Sequence, residues 1–183
     1  NLRYLYVGQQ LKAPDGVLLS FDLEFNRSLN TLDLSNNNIG GVSDFVKKGQ
    51  LQGTSFKKGD AVQYNGQQCT VSMEEDGDGY LQVQNISGVV ALAEPLKVNR
   101  ALKKLILNQN KTQDEGTAAL SEALKSNNTL ETLDLQFNRI GAAGAQSLAS
   151  RLQVNRALTS LNLRYNEIGA GGAKAIAGAL PQS

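Results

Sequence analysis

The feature that most constrains this chain is a group of leucines that returns at one fixed step. Leu102, Leu105, Leu107 and Asn110 are followed by Leu130, Leu133, Leu135 and Asn138, and at the same step again by Leu158, Leu161, Leu163 and Asn166. An earlier copy reads Leu29, Leu32, Leu34 and Asn37, and a degraded first copy before it reads Leu2, Leu5, Val7 and Gln10. A fixed period of about 28 residues marks a solenoid. One unit is too small to bury its own apolar face, so stacked units share a continuous core.

The second half of the period repeats too. Gly116-Thr117 precedes Leu120 and Leu124, Gly144-Ala145 precedes Leu148 and Leu152, and Gly172-Ala173 precedes Ile176 and Leu180. Gly88-Val89 precedes Leu92 and Leu96 in the same way, and Leu19 and Leu23 serve the first unit. Apolar residues four apart lie on one face of a helix. Each unit is therefore predicted to be a short strand, a tight turn and a helix. Asn37, Asn110, Asn138 and Asn166 are predicted to turn inward as a structural ladder, because a carboxamide both donates to and accepts from turn backbone. Asn26, Asn99 and Asn155 stand where the helical halves end, where a left-handed helix exit is expected.

The motif Leu130-x-x-Leu133-x-Leu135-x-x-Asn138-x-Ile140-Gly141 and its copies resemble the leucine-rich repeat family, specifically the class of ribonuclease inhibitor and the NOD-like receptors. The resemblance implies an α/β solenoid shaped as a horseshoe, with a parallel sheet on the concave face and helices on the convex one. It also implies protein–protein recognition and no enzymatic activity. Neither end shows a cap, so a longer array, or homo-oligomers stacked through uncapped repeat ends, is expected.

The step from Leu29 to Leu102 is more than twice the period. The chain accordingly divides into first repeats at 1–40, a small all-β insertion in the second repeat at 41–87, and further repeats at 88–183. Ala61–Tyr64, Cys69–Met73 and Tyr80–Gln84 alternate as strands do, and Asn65-Gly66 is a hairpin signal. The stretch from Lys58 to Val83 resembles the core of Src-homology-three-like or Tudor-like barrels. On an alternative reading this module recognises a peptide or nucleic acid and the repeats only mount it.

Composition narrows the chemistry. There is no His and one Cys, Cys69, which removes Ser-His and Cys-His catalysis, internal disulfides and multi-Cys metal sites. No cofactor is expected. Carboxylates at Glu74, Asp76 and Asp78 partly match a calcium loop, but its twelfth position is Asn85 instead of a bidentate Glu, so an acidic turn is the expected reading. Basic and acidic residues number 18 and 17, and aromatics make up 5% of the chain, which argues against nucleic acid as a partner. No apolar run approaches the ~20 residues of a membrane span. A lone thiol points to an intracellular, cytoplasmic setting.

What remains is a binding surface. Residues beside the strand leucines face away from the core. They include Tyr4 and Tyr6 in the first unit, Ile106 in the third, Asp134 and Gln136 in the fourth, and Asn162 and Arg164 in the fifth. Phe137 and Tyr165 follow at one shared repeat position. Aromatic residues and Arg dominate binding hot spots. The expected partner is a protein or peptide held by these residues.

Overall fold

The computed structural model describes residues 4–6, 11, 23–39, 43–47, 61–64, 67–73, 80–84 and 88–180, with the backbone alone at 4–6 and between 43 and 84. The chain forms two compact units, one of Asn1–Gly40 with Ser87–Ser183 and one of Gly41–Ile86.

The first unit carries a five-stranded parallel sheet. Its strands are β1 (Tyr4–Tyr6), β2 (Thr31–Asp33), β7 (Lys104–Ile106), β8 (Thr132–Asp134) and β9 (Ser160–Asn162), adjacent in that order. Helices α1 (Gly88–Val98), α2 (Gln113–Ser126), α3 (Ala142–Leu152) and α4 (Gly169–Ala179) alternate with the last three strands. Each of β7, β8 and β9 is entered from a helix, so these strands run the same way. The register pairs Leu5 with Leu32, Leu32 with Leu105, Leu105 with Leu133 and Leu133 with Leu161. Leu105, Leu107, Leu120, Leu124, Leu130, Leu133, Leu135 and Leu148 are fully buried together, each contributing about 1.5–3 kcal/mol of transfer free energy. In the fifth repeat Leu158, Leu161, Leu163, Ile168 and Ile176 are only half-buried, because they pack against the fourth repeat on one side.

The repeat is continuous across the insertion. β2 pairs directly with β7, Thr31 against Lys104, although the whole insertion and α1 lie between them in sequence. Ile39 is buried, and its carbonyl accepts the Val89 N–H at 3.3 Å, so the chain leaves the first unit and re-enters it through a closed neck.

The second unit is a four-stranded antiparallel sheet in the order β3 (Ser43–Lys47), β6 (Tyr80–Gln84), β5 (Gln67–Met73), β4 (Ala61–Tyr64). Among the described residues its edges are β3 and β4. Sequence reading missed β3. Its Ser-Asp-Phe-Val-Lys has two adjacent apolar residues and no alternation to signal a strand. Asn65-Gly66 lies outside the described residues, between β4 and β5, whose pairing begins at Tyr64 and Gln67.

Candidate functional site

Two ladders of asparagine join the units, one in the turns after the strands and one at the helix exits. In the first, the Asn138 amide donates to Leu107 O at 2.8 Å and Gln136 O at 3.1 Å. Its oxygen accepts Asn110 N, Thr112 N and Thr112 Oγ1 at 3.0, 3.0 and 2.8 Å. Asn110 donates to Leu34 O, and Asn166 donates to Leu135 O while accepting Asn138 N and Ile140 N. Asn37 accepts Leu11 N and donates to Leu34 O. From Asn110 onward, each amide thus joins its own turn to the preceding one.

The second ladder lies at the helix exits and corrects the sequence reading. Asn26, Asn99, Asn127 and Asn155 are not left-handed, and Asn127 has φ −80°. Their side-chain oxygens accept the N–H groups two and three residues ahead, as in Asn99 with Ala101 and Leu102. Asn99, Asn127 and Asn155 also donate to the previous unit, reaching Leu23 O, Leu96 O and Leu124 O at 2.7–2.8 Å. The signal for this ladder was the regular step from Asn99 to Asn127 to Asn155, the same as that of the leucines.

A third inter-unit device gave no sequence signal. Asp114, in the first turn of α2, accepts Gly141 N at 2.7 Å and Gly144 N at 3.0 Å at the start of α3. It caps the next helix instead of its own, supplying an acceptor to orphan N–H groups.

These scaffolds set two rows on the open face of the sheet. Tyr4, Thr31, Lys104, Thr132 and Ser160 are in register across it, as are Tyr6, Asp33, Ile106, Asp134 and Asn162. Only backbone is described for Tyr4 and Tyr6. Ile106, Asp134, Gln136 and Asn162 are half-buried and Arg164 is exposed. Asp134 is also part of the turn, accepting Gln136 N at 3.1 Å and the Asn162 amide at 3.2 Å. Asn162 in turn accepts Arg164 N.

Just beyond the strands, Asn36, Gln109, Phe137 and Tyr165 occupy one repeat position and form the turn rim. All four are left-handed, with φ of 54–58°. Their N–H groups are tied unit to unit, Asn36 to Asn108 O, Gln109 to Gln136 O and Phe137 to Arg164 O. The Phe137 and Tyr165 rings stack with centroids 4.2 Å apart and planes 7° from parallel. They remain 43% and 69% exposed. Left-handed backbone costs a bulky residue about 1 kcal/mol or more, and an aromatic stack returns about 0.5–1.5 kcal/mol. Lys111 and Arg139, also left-handed, are exposed two residues further on.

Glu74, Asp76 and Asp78 lie outside the described residues, and Cys69 is described only as a β5 position paired with Val62. Among the described residues no cluster of His, Cys, Asp or Glu is placed to hold a metal ion, and no helix is long and apolar enough to cross a membrane.

Comparison with known proteins bears on the repeats. The leucine-rich repeat family model matches residues 25–43, 126–149 and 154–177. Among solved structures, the actin-binding site 2 of leiomodin-1 aligns at 27% identity with a TM-score of 0.48, over 50% of this chain and 54% of that one. The chain thus spans about half the length of that structure. No curated protein matches the sequence. The fold is an α/β leucine-rich repeat fold.

Proposed function

We propose that the chain is a non-enzymatic, protein-binding scaffold. Its partner, a protein or peptide segment, lies on the open face of the five-stranded sheet and along the turn rim. The single observation that carries this reading is the exposed Phe137–Tyr165 stack, two large rings left in solvent beside the open face of the sheet. Interfaces take most of their energy from such anchors, with the surrounding polar groups setting orientation. A concave curvature of this face, as in the ribonuclease-inhibitor class, would wrap the partner.

Panning a displayed random-peptide library against the immobilised intact chain tests the reading. Selected peptides are expected to lose binding to an Ile106→Arg/Gln136→Arg variant, which crowds the open face. They are expected to keep it on a chain in which Gly40 is joined to Gly88, a short closure because Ile39 O and Val89 N are 3.3 Å apart. Binders that depend on residues 41–87 and ignore the open face would move recognition to the inserted sheet.

A further inference from the structure

Resting on that scaffold reading, we infer that the turn rim of the third to fifth repeats docks an acidic peptide segment carrying an aromatic residue, its ring on the Phe137–Tyr165 stack and its carboxylates on Lys111, Arg139 and Arg164. The repeats themselves are the control for what folding requires. At the position of Phe137 and Tyr165, the other units use Asn36 and Gln109 with the same left-handed backbone. Asn is well suited to that conformation and aromatic residues are not. The rings are not buried either, so neither backbone nor core accounts for them. At the position of Arg164 the other units carry Ser35, Asn108 and Gln136, and at that of Arg139 they carry Asn38, Lys111 and Glu167. Cations here are therefore a property of this part of the rim.

Their charges are not consumed within the fold. Lys97, Lys103, Lys125 and Arg151 are ion-paired, whereas Lys111, Arg139 and Arg164 have no ion pair among the described residues. The nearest acids in sequence are Asp114 and Glu115 for Lys111, Asp134 for Arg139 and Glu167 for Arg164. Asp114 is engaged by the Gly141 and Gly144 N–H groups and Asp134 by Gln136 and Asn162, and none of these acids forms an ion pair with the three cations. A parallel pair offers its outer faces to a third ring, and flanking cations select acidic neighbours of that ring. Single-stranded nucleic acid would also offer rings and negative charge. It needs a continuous basic groove with successive stacking platforms, and the open face beside this rim instead presents Asp33 and Asp134.

Fluorescence anisotropy on the intact chain tests the assignment with four labelled probes. These are a short Gly/Ser peptide with Asp/Glu around one Trp, the same with the Trp replaced by Ala, the same with its acids replaced by Lys, and oligo-dT. The acidic Trp peptide is expected to bind, and to weaken as salt is raised. Affinity should fall at least about tenfold on losing the Trp or the acids. A similar fall is expected with Phe137→Asn/Tyr165→Gln, residues the fold already accepts at this position, and with Arg139→Asn/Arg164→Gln. The assignment is overturned by absent binding, by equal or tighter binding of the Lys peptide or oligo-dT, or by unchanged affinity in the rim variants. If library peptides still depend on Ile106 and Gln136 in that event, the scaffold reading stands and only the rim assignment falls. Loss of both results removes both.

Discussion

Replacing Asn138 with Ala tests whether the inward amide ladder holds the repeats together. Asn138 is completely buried, and its amide makes five hydrogen bonds, three accepted and two donated. Thr112 Oγ1 can rotate to another acceptor, so the firm orphans are the N–H groups of Asn110 and Thr112. A buried donor left unmade costs about 1–3 kcal/mol, which places the loss at roughly 2–6 kcal/mol. A water entering the vacated space would recover part of it, so about 3–4 kcal/mol is expected. Asn166 is the internal comparison. It accepts the N–H groups of Asn138 and Ile140 in the same way but is half-exposed, so solvent can replace it, and Asn166→Ala should cost only about 1 kcal/mol. Urea unfolding followed by far-ultraviolet circular dichroism measures both. Equal losses, or a loss below about 1 kcal/mol for Asn138→Ala, would refute the argument that burial makes these bonds costly to break.

The same unfolding assay reads four further expectations. Leu133→Ala should cost about 2–5 kcal/mol and Leu161→Ala clearly less, because the first is fully buried and the second half-buried. Gly144→Ala should destabilise, since its Cβ would sit 2.6 Å from Asp114 Oδ1 and 2.8 Å from Ile140 Cγ2. Gly171→Ala and Gly178→Ala meet nothing within 4 Å and should each stabilise α4 by up to about 0.5–1 kcal/mol. Asp114→Ala should cost about 1–2 kcal/mol by uncapping α3, with Asp114→Asn recovering most of it; identical losses in the two would deny Asp114 its cross-unit role.

The period of the leucines made the fold class legible, because in a solenoid the sequence repeat is the physical repeat. Leu105, Leu133 and Leu161 had to share one strand position once their spacing was known. The second compact unit, Gly41–Ile86, lies within the overlong step from Leu29 to Leu102. Less was legible where local pattern is weak, as in β3, or where one residue type serves two purposes. Asn at the helix exits reads locally as a left-handed cap. In the structure Asn99, Asn127 and Asn155 reach carbonyls of the preceding unit, contacts that local sequence does not encode.

By itself, then, the sequence determined the order of strand, turn and helix, the leucines available to a shared core, and the removal of histidine chemistry. Equivalence by period says which residues stand at the same place in successive units. It does not say how far apart they are or which way they point. Only the tertiary structure decided that Asp114 caps the following helix. It alone decided that a positive φ at Phe137 and Tyr165 stacks their rings 4.2 Å apart in solvent. It also paired β2 with β7 across the intervening insertion and helix. These arrangements depend on the distance and twist between neighbouring units, which are set by packing of the whole stack.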